Sequence, residues 1–339
     1  MNRYLIYLLS SFLCFLYSGC NMADEYSTSP RQNFEALWKI LDENYCFFDY
    51  KGVDWNEVYE RYSFGIDDSM NEYELFSEME SMLNELRDGH INLNSTFRIS
   101  SYEGWYADHP SNFNWNVLYN TYLPGAARAG DYDEIRYTRM AGGQIGYIYY
   151  ASFRESILEM ELDSIFSSFK NCKGLIIDVR DNGGGSLTNS DRLASRFLDK
   201  KILCGYIQHK TGKGHHDFSN PYPIYLSPSH SDLWLKPVIV LTNRRCYSAA
   251  NNFVSKMREL PNVRTLGGST GGGSGFPFTS ELPNGWSIRF STSPILNVNK
   301  EHTEFGIEPD IKVSLLPNDT EKNKDSLIEA ALALLLSGN

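Results

Sequence analysis

From Asn33 to about Arg87, apolar residues recur at helical spacing. Phe34, Leu37, Trp38, Ile40 and Leu41 form one such set, and Leu75, Phe76, Met79, Met82, Leu83 and Leu86 form another. The pattern predicts a helical N-terminal module of two or three helices over residues 31–93. It closes at Arg87-Asp88-Gly89-His90, after which Ile91-Asn92-Leu93 alternates as a short strand. Residues 94–142 are rich in Tyr, Trp, Asn and Gly, show neither period, and read as an irregular linking segment. From residue 143 the pattern changes again. Gly143–Phe153, Gly174–Arg180, Pro237–Asn243, Arg264–Gly267 and Trp286–Val298 read as strands. Leu158–Lys170, Asn189–Leu198, Ser248–Leu260 and Ser326–Leu336 read as helices. Strands alternating with helices define an α/β core over residues 143–339.

The first twenty residues stand apart. Arg3 precedes the apolar run Tyr4–Tyr17, and Ser18-Gly19 precede Cys20. A basic start, a short apolar core and small residues before a cut describe a signal peptide. The run is shorter than the roughly 20 residues a membrane span needs. Small residues directly before a cysteine resemble the lipobox of bacterial lipoproteins. That resemblance implies Cys20 as the lipidated N-terminus of an exported protein tethered to the cell envelope, at the periplasmic or outer-membrane face. The alternative is ordinary secretion without a lipid. Residues 21–30, polar with Ser-Pro steps, read as a tether.

Composition narrows the partners. Hydrophobic residues at 42% and aromatics at 14% of 339 residues argue for a large folded body. A net charge of −11 argues against nucleic acid, since phosphates need a basic face. Beyond Cys14 and Cys20, the remaining cysteines (Cys46, Cys172, Cys204 and Cys246) show no metal-ligand spacing and read as core thiols. His215-His216 lies in a Gly/Lys-rich loop and reads as a surface hairpin. Nothing calls for a metal or a cofactor.

Two strand-to-loop junctions carry candidate chemistry. The strand Gly174–Arg180 runs into Asp181-Asn182 and then Gly183-Gly184-Gly185. Successive glycines let backbone N–H groups approach a ligand closely. The strand Pro237–Asn243 runs into a turn, and a helix opens at Ser248. A serine there is either a plain N-cap or a nucleophile at the positive end of a helix dipole. Paired with the glycine loop, the Ala249 N–H and a glycine N–H supply two donors for an oxyanion. Among seven histidines, His90 stands out for its tight turn between helix and strand. Glu304 is the candidate acceptor that orients a catalytic histidine, with Glu301 as the alternative.

These motifs, in this order, resemble the C-terminal processing (tail-specific) serine peptidases. The resemblance rests on Asp178-x-Arg180-x-Asn182-x-Gly184-Gly185, then Ser248-Ala249, then Gly306-Ile-x-Pro-Asp310, and on the helical module ending in Asp88-Gly-His90. It covers roughly residues 30–335. It implies a ClpP/crotonase-like core, a spiral of ββα units, and cleavage of polypeptide through an acyl-enzyme. One departure selects the branch. The processing enzymes use a Ser–Lys dyad, with the lysine in Thr-x-Gly-Lys-Gly, where this chain has Thr270-Gly-Gly-Gly-Ser274. Lys256, two helical turns beyond the serine, is badly placed to replace it. The resemblance is closer to the tricorn core branch, which pairs serine with a histidine of the helical module and a late glutamate. It implies Ser248, His90 and Glu304 as catalytic residues, with Gly184 and Ala249 holding the oxyanion. That branch also has a serine beside its histidine, where this chain has Gly89. Residues 94–142 are short for a PDZ domain, and none is expected. Two rivals remain: a non-catalytic peptide- or ligand-binding lipoprotein on the same fold, and an acyl-CoA enzyme of the crotonase type. No oligomeric state is implied.

Overall fold

A computed structural model describes residues 26–129 and 134–338. The predicted signal peptide, Cys20 and residues 21–25 of the tether lie outside the described residues. The rest of the tether is docked: Ser27 N–H donates to the Pro283 carbonyl at 3.0 Å, and Ser29 caps the first helix. Among the described residues, no helix is long and apolar enough to cross a membrane.

The N-terminal module holds four helices rather than two or three: α1 (Pro30–Asn44), α2 (Phe48–Lys51), α3 (Trp55–Ser63) and α4 (Glu72–Asn84). Their starts reflect capping chemistry. Pro30 sits in the first turn of α1, Asp54 caps α3, and Asn71 with Glu74 forms a capping box on α4. α2 is a single turn with too few residues to show a period, so the sequence pattern passed over it. Phe34, Leu37, Leu41, Phe76, Met79 and Met82 are fully buried and pack against Trp286, Ile288 and Phe290. The module therefore has no core apart from the sheet that carries those residues.

Twelve strands are present in the described residues: β1 (Asn92–Asn94), β2 (Ala127–Ala129), β3 (Ile135–Met140), β4 (Ile145–Tyr150), β5 (Gly174–Asp178), β6 (Ile202–Ile207), β7 (Tyr222–Leu226), β8 (Val238–Thr242), β9 (Val263–Gly267), β10 (Gly275–Glu281), β11 (Ser287–Leu296) and β12 (Ile311–Lys312). They make two sheets. The larger has the order β12-β9-β8-β5-β4-β3-β2, parallel from β12 to β4. Every residue of β5 and β8 is buried, as expected of central parallel strands covered on both faces. Leu175, Ile177, Val238 and Val240 face α5 (Glu159–Ser168), α6 (Leu187–Ala194) and α7 (Ala249–Met257), while Ile176, Ile239 and Leu241 face α8 (Ser326–Ser337). The smaller sheet has the order β1-β11-β6-β7, with β10 also on β11.

The boundary expected at residue 143 does not divide the fold. β3 pairs with β4 antiparallel, Tyr137 opposite Ile148, so the linking segment 94–142 supplies two strands of the core sheet. Thr138 and Arg139 interrupt the apolar run that would have marked β3 as a strand.

Because β5 and β8 are adjacent and parallel, the glycine loop and the Ser248 turn leave the same sheet edge side by side. β1, directly after His90, pairs with β11 through Asn92 opposite Arg289. This pairing holds His90 on the smaller sheet, facing the Ser248 turn of the larger.

Candidate active site

Ser248 opens α7 with φ 57° and ψ −119°, a left-handed conformation unusual for a residue with a Cβ. Its N–H donates to the Gly272 carbonyl at 2.8 Å, and its carbonyl accepts from Asn252 N–H at 3.0 Å. The N-cap alternative does not describe it, because the side chain makes no capping hydrogen bond. Instead its Oγ lies 3.0 Å from His90 Nε2. Such backbone strain is worth of order 1–3 kcal/mol. Ser248→Gly is accordingly expected to melt above Ser248→Ala, by about 2–4 °C for a protein of this size. Both variants lack the hydroxyl, so the difference isolates the backbone; Gly melting at or below Ala would sink the strain argument.

His90 is buried and held by its own turn, where the Asp88 carboxylate accepts the His90 N–H at 2.8 Å. Burial pushes its pKa down to about 4; the Arg289 and Lys51 charges add to this and Asp88 opposes it. The imidazole is neutral at pH 7, as a base must be. Its Nδ1 lies 3.5 Å from Ser291 Oγ on β11. Gly89 stands where a serine would be the fourth member, and the reason is steric. A Cβ there would fall 2.6 Å from Trp105 Nε1. Trp105 stacks on Tyr247 at 4.1 Å, so the Tyr/Trp-rich segment roofs the turn that carries Ser248.

Glu304 is not the direct partner of His90. Its carboxylate binds Lys51 Nζ at 2.9 Å and accepts the Ser274 N–H at 2.7 Å. Lys51 Nζ reaches Asp88 at 3.2 Å, and Asp88 also accepts from Tyr45 Oη at 2.7 Å. A buried chain thus runs Glu304–Lys51–Asp88 and meets the His90 backbone, with both carboxylates on one ammonium. Although burial works against its charge, Lys51 and His90 hold Asp88 below the usual carboxylate range. Burial and then the Asp88 charge push Glu304 up to about 7, against Lys51. Glu301, the alternative, is exposed and bonds Asn297. Sequence reasoning missed Lys51 and Asp88 as a pair. The available signal was a lysine closing the aromatic run Tyr45–Tyr50.

The oxyanion assignment also changes. Gly184 N–H is taken by Asn182 Oδ1 at 2.9 Å. Gly185 is bridged to Phe153 through its neighbours, the Gly184 carbonyl and the Ser186 N–H. In a parallel bridge this directs the Gly185 N–H away from that strand. Gly185 and Ala249 line, with Ser248, Gly273, Phe276 and Arg289, a cavity of about 370 Å³. Neither the Gly185 nor the Ala249 N–H makes a hydrogen bond among the described residues.

The remaining motif residues are structural. Arg180 is held by Asp178 at 2.9 and 2.6 Å and by Asp325 at 2.9 Å, which ties β5 to the start of α8. Asp310 accepts from Thr265 N–H at 2.8 Å and pairs with Arg258 at 3.0 Å. Gly273 occupies the expected lysine place with φ 73°, and a Cβ there would lie 2.4 Å from the Tyr247 ring. Lys256 pairs with Asp191. His215 lies 2.8 Å from Asp42 and stacks on Phe48, so the hairpin is latched to the helical module. Cys46, Cys172, Cys204 and Cys246 are buried and free.

A serine on a tight strand-to-helix turn, a neutral histidine at its oxygen and two open N–H groups define a hydrolase-type site. The sequence profile of peptidase family S41 matches residues 144–313, and that of the tricorn protease C1 domain matches residues 26–84. The chain belongs to peptidase family S41. A crystal structure of a candidate peptidase from Parabacteroides merdae is 56% identical, covering 91% of this chain and 98% of that one, with a TM-score of 0.87. Mature CPAF shares the fold at 12% identity, with a TM-score of 0.71 over 92% of this chain and 98% of that one. The carboxy-terminal processing protease CtpA of Bacillus subtilis is 27% identical over 184 residues, 54% of this chain and 38% of that protein. The tricorn protease of Thermoplasma acidophilum is 28% identical over 57% of this chain and 17% of its own length. The chain thus spans under two-fifths of the length of these two curated relatives.

Proposed function

We propose that this chain is an exported, lipid-anchored serine endopeptidase that hydrolyses polypeptides through an acyl-enzyme. The observation that carries the reading is the 3.0 Å contact between His90 Nε2 and Ser248 Oγ, made by a serine whose strained backbone serves no capping role. His90 Nε2 takes the Ser248 proton, and Oγ attacks the peptide carbonyl. The oxyanion is received by the Ala249 and Gly185 N–H groups. His90 returns the proton to the leaving amine and then activates the water that releases the acyl group. With Nε2 accepting, the ring proton sits on Nδ1, toward Ser291 Oγ. Glu304 acts through Lys51 and Asp88 and positions the His90 turn without touching the ring. Cys20 supplies the membrane tether.

The test is labelling of the full-length protein with a fluorophosphonate. Wild type is expected to label at one site and Ser248→Ala not at all, with both proteins equally folded. Cys20→Ser is expected to move the protein from the membrane fraction to the soluble one. Labelling that survives Ser248→Ala, or a folded wild type that never labels, would overturn the catalytic reading. Cys20→Ser remaining at the membrane would overturn the anchor.

A further inference from the structure

Among the described residues Arg289 is a cation without an ionic partner, and it borders the cavity that holds Ser248. It lies on β11, opposite Asn92 of β1 and Thr279 of β10, and is half-buried. Its Nη1 makes two long contacts, to the His90 carbonyl at 3.5 Å and to Asn92 Oδ1 at 3.4 Å. It appears in no ion pair among the described residues. Asp88, a carboxylate whose charge acts on Arg289, is already engaged by Lys51 and Tyr45.

A guanidinium drawn partly out of water is stable when a carboxylate or phosphate meets its planar fork. Burial works against the Arg289 charge, and Tyr247 and Asp88 offset this only in part. The side chain borders the same cavity as Ser248, Ala249 and Gly185. A single residue, His90, touches both: Arg289 at its carbonyl and Ser248 at its ring. Leu187, Phe276, Pro277 and Ile295 share the rest of that wall with the uncharged polar residues Ser186, Thr188, Asn252 and Ser274. Any group that fills the cavity is therefore offered one charged contact among uncharged neighbours.

We propose that Arg289 is a specificity-determining residue that receives a carboxylate of the polypeptide, so that the bond cleaved lies next to an acidic side chain or next to the chain's own C-terminus. The inference rests on the peptidase reading for its cleavage arm and on geometry alone for its binding arm.

The experiment uses the full-length protein and three sets of otherwise identical peptides. The first carries a glutamate walked through each position with an amidated end. The second is neutral with a free C-terminal carboxylate, and the third is neutral and amidated. Cleavage is measured for wild type, Arg289→Met and Arg289→Lys, and binding by fluorescence anisotropy on the Ser248→Ala background. Fluorophosphonate labelling of each active variant reports whether the Ser–His pair and the fold are intact. Wild type is expected to prefer one of the carboxylate-bearing sets over the neutral amide by roughly 10- to 100-fold. Arg289→Met is expected to reduce the preference to about twofold or less while labelling persists, and Arg289→Lys to keep part of it. Ser248→Ala with Arg289→Glu is expected to bind a lysine-bearing peptide over the glutamate one. The set that wins identifies the source of the carboxylate. Equal handling of all three sets, or a preference that survives Arg289→Met, overturns the proposal. If wild type neither labels nor cleaves, the peptidase reading fails by itself. Binding to Ser248→Ala then decides: a carboxylate preference lost with Arg289 upholds the proposal, and none overturns it.

Discussion

Lys51→Met is expected to lower the melting temperature by on the order of 10 °C and to impair the site as well. Lys51 is almost wholly buried and is the cation shared by Asp88 and Glu304, at 3.2 and 2.9 Å. Removing one partner of a buried charge pair is typically destabilising by about 3–5 kcal/mol, because the remaining charge is left without compensation. Here two carboxylates would be left facing one another. The relief open to them is protonation, and Glu304, already pushed up to about 7, would rise further without Lys51. A second change tests this account: Lys51→Met with Glu304→Gln removes the surplus anion and is expected to recover part of the lost stability. The damage reaches catalysis because Asp88 also accepts the His90 N–H at 2.8 Å. Thermal melts of the three proteins check the claim. A Lys51→Met protein within about 2 °C of wild type would show that the network contributes little.

His90→Ala is expected to slow fluorophosphonate labelling and kcat/KM by roughly 10²–10⁴-fold, the usual worth of a positioned general base. The pH dependence gives a sharper signature. Burial penalises the imidazolium, so the neutral form persists to lower pH than in a free histidine. With the pKa pushed down to about 4, the neutral base gains little above pH 5. The acid limb of kcat/KM should therefore have its midpoint near 4, with a level profile between pH 5 and 6.5. A midpoint near the ordinary value of about 6.5 would show that His90 titrates as an exposed residue and that the buried geometry is wrong. His90→Ala labelling as fast as wild type would remove His90 from the mechanism.

Ser248 and the glycine loop were legible in the sequence because adjacent parallel strands announce themselves as buried β-branched runs, and the loops leaving such strands must emerge at the same edge. His90 was legible only through the family resemblance; its turn by itself looks like any surface turn. The error at Glu304 has a physical cause. A late glutamate near a histidine reads as its partner when the only distance available is along the chain. The intervening lysine comes from a one-turn helix too short to leave a periodic trace. The resemblance points to Gly184, and a glycine run has no side chains by which the sequence could separate it from Gly185. Only the Asn182 side chain, which takes the Gly184 N–H, settles which amide stays open. Arg289 left no signal, since one arginine in an alternating strand is what an exposed strand face ordinarily carries.

The two sheets divide the chemistry between them. The smaller one carries His90, through β1, and Arg289; the larger carries Ser248 and the open N–H groups. The 3.0 Å hydrogen bond between serine and histidine thus spans the two sheets, which also share a core where Cys204 and Leu226 of the smaller pack with Val238 and Val240 of the larger. The pairing works like a two-key lock. Either sheet by itself offers only a serine with no base or a base with no serine. On the proposed mechanism, hydrolysis is expected only when both keys are turned together.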